Sequence, residues 1–219
     1  MKNQRSVDTS RKGLKLLLVG TLLVVLGVGA TAQQDITLIE AVTTGNTAAV
    51  RTSLERGDDM NVQQVDGTSV LLLAVSGNNL DVADLLIRAG ADVRVANRYE
   101  VSPLSVACLN GNAAMVEKLL EAGADANSTQ QGGESVLMTA ARTGNATVVQ
   151  HLLDRGADVN AREEWKGQTA LMWAAAENNA AAVQTLIAGG ADIEARSKTS
   201  RGVNELGNRG FTAFTFAAR

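Results

Sequence analysis

Apolar residues in this chain come in short bursts at helical spacing, each closed by the same small-residue signature. Between residues 113 and 121, Met115, Val116, Leu119 and Leu120 fall at i, i+1, i+4 and i+5, which sets one apolar stripe along a helix. The segments Leu54-Glu-Arg-Gly57, Ile87-Arg-Ala-Gly90, Leu120-Glu-Ala-Gly123, Leu153-Asp-Arg-Gly156 and Ile187-Ala-Gly-Gly190 recur with their glycines 33, 33, 33 and 34 residues apart. A second marker keeps step with the first: Gly45, Gly77, Gly111 and Gly144, with Asn178 in the fifth copy, each follow an Ala-rich stretch and precede another apolar one. The simplest reading is two helices per repeat, the first ending at a residue that tolerates the left-handed conformation.

Local chemistry supports these boundaries. Ser102-Pro103 offers a hydroxyl N-cap followed by proline at the first helical position, where its missing N–H costs little. Ser69, Ser135, Thr169 and Thr212 occupy the same place in the other copies. A lone pair of short helices cannot bury its apolar stripe, but stacked pairs form a continuous core in which each repeat touches mainly its neighbours.

The segments Gly67-Thr-Ser-Val-Leu-Leu-Leu-Ala74, Val101-Ser-Pro-Leu-Ser-Val-Ala107 and Gly167-Gln-Thr-Ala-Leu-Met-Trp-Ala174, each followed by the glycine signature, resemble ankyrin repeats. The resemblance implies an all-α ankyrin-repeat solenoid of paired antiparallel helices, with projecting β-hairpin-like turns and a concave groove used for binding. It places repeats at about 36–66, 67–99, 100–132, 133–166 and 167–200, an inserted loop at 196–209 and a truncated sixth repeat at 210–219. The family's histidine after Thr-Pro-Leu is replaced by Leu72, Ser105, Met138, Met172 and Thr215. That loss predicts looser hairpin tips over ordinary helical stability, with Leu and Met adding apolar packing.

Residues 1–32 have the build of a secretory signal: basic Lys2, Arg5, Arg11, Lys12 and Lys15, an apolar run from Leu16 to Ala30, and Ala30-Thr31-Ala32 before the expected cut at Gln33. As a helix, the run spans about 22 Å against a hydrocarbon core of about 30 Å, which favours cleavage over a membrane anchor at residues 16–30. Expected localisation is therefore export, to a periplasm or the exterior, of a bacterial-type protein. Beyond residue 32 remain fifteen Lys plus Arg and twenty-two Asp plus Glu, a net charge of −7. This acidity, without clustered basic residues, argues against a nucleic-acid partner and for a neutral or cationic one. Cys108 is the single cysteine, so stability comes from packing rather than disulfides.

Chemistry-bearing constellations are sparse. His151 is the only histidine and has no partner at catalytic or metal-ligating spacing, and the repeated glycines close helices rather than open them onto a phosphate. The expectation is no catalytic residue, metal or cofactor. Cys108 occupies the small-residue slot held by Ala141 and Ala175 in later copies and reads as a buried, inert thiol.

Binding has better candidates. Leu73, Val106, Thr139 and Trp173 occupy the groove-facing first-helix position, with Arg142, Glu177 and Asn178 further along. The fourth junction is one residue longer than a standard one and sets Trp165 in a turn. The fifth carries a basic insertion containing Arg201, and insertions in repeat proteins map to loops, often on the binding face. Phe211, Phe214 and Phe216 open a sixth first helix with no second helix to cover them, as expected of a chain cut short.

The partner-binding candidates are thus Trp173, Trp165, Arg142, Glu177, Asn178 and Arg201. Together they suit a non-catalytic scaffold of the cell envelope that binds a protein or peptide, with membrane contact only through an uncleaved N-terminus. The alternatives are the docking region of a larger exported enzyme or redox protein, and a structural spacer in the envelope.

Overall fold

The computed structural model describes residues 37–198 and 210–218; the proposed signal segment and Arg201 lie outside them. Helices follow one another in antiparallel pairs: α1 (Leu38–Thr43) with α2 (Thr47–Arg56), α3 (Val70–Ser76) with α4 (Leu80–Arg88), and α5 (Pro103–Leu109) with α6 (Ala113–Glu121). Next come α7 (Val136–Thr143) with α8 (Ala146–Asp154) and α9 (Ala170–Ala176) with α10 (Ala180–Ala188), then a short α11 (Ala213–Ala217). First helices pack side by side in the order α1, α3, α5, α7, α9, α11, and second helices form a parallel layer in the order α2, α4, α6, α8, α10. Among the described residues there is no strand; two isolated bridges, Gln63 with Ser69 and Thr129 with Ser135, sit at the bases of the projecting turns. The expected all-α architecture of paired helices is the one observed.

Caps and apolar stripes account for these elements. Ser69, Ser102 and Ser135 each accept from the backbone N–H three residues on at 3.2 Å, and Thr169 does so at 3.5 Å. Ser105 returns a second bond to the Ser102 N–H, closing a capping box. Thr212 makes no such bond. The left-handed residue after α1, α3, α5, α7 and α9 is Gly45, Asn78, Gly111, Gly144 and Asn178 in turn. Gly77, expected to take that role, is right-handed with φ −75°, and the following Asn78 adopts φ +53°. An asparagine tolerates this region, so the 33-residue register runs through Asn78.

The core lies between the two layers and continues from pair to pair. Leu71, Leu86, Leu104, Met115, Leu119, Leu137, Leu152, Leu171 and Leu186 are fully buried, each contributing roughly 1.5–3 kcal/mol relative to exposure. Leu72, Met138 and Met172, standing where the family has histidine, are buried as well. Cys108 is fully enclosed, and burial pushes its thiol pKa up to about 12, which keeps it protonated and unreactive.

Asparagine side chains tie neighbouring repeats together in two series. At the second-helix N-caps, Asn112 donates to Asn78 Oδ1 at 2.7 Å, Asn145 to Gly111 O at 2.7 Å, and Asn179 to Ala141 O and Arg142 O at 3.0 and 2.8 Å. Beyond the second helices, Asn61, Asn127 and Asn160 accept from the N–H of Asp92, Asp158 and Asp192 in the next repeat at 2.7–2.9 Å. Asn127 and Asn160 also donate to Gly156 O and Gly190 O.

Candidate functional site

The projecting turns share one construction, and the fourth departs from it. In the first three, residues 64, 97 and 130 bond residues 68, 101 and 134 across three intervening residues, with Gly67, Glu100 and Gly133 at positive φ. In the fourth, Glu163 N donates to Gln168 O across four, and Gly167 takes the positive φ. Adjacent tips are joined by backbone bonds, Arg98 N to Asp66 O at 3.0 Å and Glu164 N to Gly132 O at 2.9 Å.

The longer turn is held from inside by a carboxylate. Glu163 is only 6% exposed and accepts from the N–H groups of Trp165 (2.7 Å), Lys166 (2.8 Å) and Gln168 (2.8 Å). Burial, the largest influence, pushes its pKa up, but the N–H groups of Gln168, Lys166 and Trp165 and the charge of Lys198 together hold it below the ordinary glutamate value. A carboxylate so satisfied fixes the backbone that carries Trp165. The indole itself is 75% exposed and packs on the preceding tip: a Cβ added to Gly132 would meet Trp165 Cε2 and Cζ2 at 3.0 Å. Only glycine, here at φ +84°, leaves that space.

Below this tip, a pocket of about 320 Å³ opens against the first helices, lined by Gly132, Glu134, Arg142, Trp165, Trp173 and Glu177 among others. A relay of polar contacts runs through two of these residues, Glu134 and Arg142. Gln130 donates to Thr139 Oγ1 at 3.2 Å, Thr139 donates to Glu134 Oε1 at 2.9 Å, and Arg142 pairs with Glu134 at 3.6 Å. The Arg142 guanidinium carbon lies 5.3 Å from the centroid of the Trp173 ring, within cation–π range. Trp173 Nε1 is occluded from solvent and donates to no acceptor, a state that costs roughly 1–3 kcal/mol.

The structure therefore brings four sequence-predicted residues, Trp165, Trp173, Arg142 and Glu177, to one pocket although they come from two helices, α7 and α9, and a turn. Asn178 is exposed at φ +57° and does not line it. Thr139, expected on the groove face, is 1% exposed; its hydroxyl turns inward because Gln130 and Glu134 complete its hydrogen bonds. Glu134, Gln168 and the buried Glu163 belong to the site and were missed, since a charged residue in a polar turn gives no sequence signal that its carboxylate is enclosed. His151 is half-buried on α8, away from this pocket. Among the described residues no three His, Cys, Asp or Glu side chains converge as a metal site would require.

No individual curated protein matches the chain. Residues 38–130 and 114–197 match the family model described as ankyrin repeats in three copies. Such repeats are typically non-catalytic modules whose partners are proteins. With the helix pairs, the projecting turns and a match that spans more than half of its length, the chain belongs to the ankyrin-repeat family.

Proposed function

We propose that this chain is an exported, non-catalytic scaffold of the cell envelope, and that it holds a protein or peptide segment against the pocket beneath the fourth tip. The observation that carries the binding site is the convergence of both tryptophans of the chain on that pocket. Tryptophan and arginine are the residues that most often anchor interfaces, and an exposed indole seated on a braced turn loses little freedom on binding. Export rests on the signal-like residues 1–32.

Capture experiments test the site. Tagged wild-type chain and the double variant Trp165→Ala/Trp173→Ala, matched for helical circular dichroism, should retain different sets of envelope proteins, with specific partners lost from the variant. Gln150→Ala, an exposed change on α8, should retain the wild-type set. Identical sets from all three would end the pocket assignment. N-terminal sequencing of the chain recovered from the envelope should begin at Gln33, and a product beginning at Met1 would remove the cleavage.

A further inference from the structure

The chemistry of the pocket narrows what it holds. Three carboxylates and two cations line it: Glu134, Glu163 and Glu177, with Arg142 and Lys166. Glu134 is occupied by Arg142 and Thr139, and Glu163 by three backbone N–H groups. Glu177 is exposed at the end of α9 and carries no ion pair among the described residues. Of the two indoles, Trp173 already has a cation on its face, supplied by Arg142. Trp165 packs on Gly132, remains 75% exposed and has no cation of this chain over its ring among the described residues.

An aromatic face with its negative quadrupole, an unpaired carboxylate lining the same pocket, and a chain that is acidic beyond residue 32 all favour one sign of guest. We infer that the pocket receives a lysine or arginine side chain of the bound segment, stacked on Trp165 and paired with Glu177. The inference rests on the proposed binding site and specifies its partner. Lys166 opposes it, because this exposed cation is among the lining residues and lacks an ion pair among the described residues. The guest cation therefore sits at the Glu177 side, and Lys166 acts as a brake on affinity.

The chain contains two tryptophans, both in the pocket, so two indole N–H resonances of the 15N-labelled full chain report on it. Trp165→Phe and Trp173→Phe assign them. The probes are the capped tripeptides acetyl-Gly-Arg-Gly-amide and acetyl-Gly-Lys-Gly-amide, with the neutral citrulline and acidic Glu counterparts. The Arg or Lys peptide should shift the Trp165 resonance saturably, and the other two should leave it in place. Glu177→Gln should weaken that binding about threefold and Lys166→Ala strengthen it by a similar factor, the scale of one exposed charge pair. Comparable shifts from the citrulline or Glu peptide, no shift from either cationic peptide, or insensitivity to both substitutions would overturn the cationic guest. If partners are still lost from the double tryptophan variant in that case, the binding site stands and only its charge preference falls.

Discussion

Glu163 shows how one side chain sets the exposure of another. Its carboxylate takes three backbone N–H groups, and the turn so closed leaves Trp165 outside. Glu163→Gln replaces an acceptor oxygen with an N–H₂ facing those donors, and should cost about 2 kcal/mol, as for hydrogen bonds to a charged group. Because the folded pKa is depressed, the stabilisation is full above the unfolded glutamate value and is lost as pH falls through the folded one. The gap in Tm between wild type and Glu163→Gln should accordingly narrow in acid; a gap constant from pH 7 to pH 3 would assign the effect to shape instead. Glu100 makes the opposite point, since it holds φ +61° where the other tips have glycine. Glu100→Gly should raise stability by about 1 kcal/mol in denaturant unfolding, by removing left-handed strain that exceeds the entropy glycine adds to the unfolded chain. A loss of stability would show that the Glu100 side chain has a compensating role.

At the level of elements, the asparagines between repeats distinguish a complete joint from an incomplete one. Asn127 bonds the next repeat twice, to Gly156 O at 3.0 Å and from Asp158 N at 2.7 Å. Arg94, in the same register, makes only the donor contact, from Nε to Gly123 O at 2.8 Å. Asn127→Ala should therefore cost about 1–2 kcal/mol, and Arg94→Asn should recover the missing acceptor and gain about 0.5–1 kcal/mol. Both are read from urea midpoints at constant m-value, and a destabilised Arg94→Asn would mean that the arginine stem contributes more by packing. These joints were present in the sequence as Asn61, Asn127 and Asn160, four residues after the repeat glycines and broken in the second copy by Arg94. They escaped notice because asparagine reads first as a turn or cap residue, and only the stacked repeats reveal what its amide reaches. The exchange of Gly77 for Asn78 has a related cause: two adjacent residues can both end a helix, and the neighbouring register decides between them.

Across the molecule, the helix pairs were legible because period, cap and apolar stripe all point to the same element. The pocket was legible only in part. Trp165 stood out by its extra residue, and Trp173 and Arg142 by their place on first helices, but their union depends on side-chain direction. Thr139 shares the register of Trp173 and is buried nonetheless. Long-range order here is carried by neighbours, since α6 touches α4, α5 and α8. Leu119→Ala, which empties a fully buried site in α6, should cost about 2–5 kcal/mol. Amide exchange should accelerate first in those four helices and later in α1, α2, α9 and α10, whereas equal acceleration throughout would show that the array opens as one unit.

Trp165 lies on Gly132, one repeat upstream, and the turn beneath it is closed by Glu163 and Gly167. The smallest portable unit of recognition in this protein is thus a pair of successive tips rather than a repeat. Grafting the widened turn alone one step earlier would place its indole over Tyr99 instead of a glycine. A designer moving this contact along the array, or a lineage duplicating it, would have to carry the glycine of the preceding turn as well.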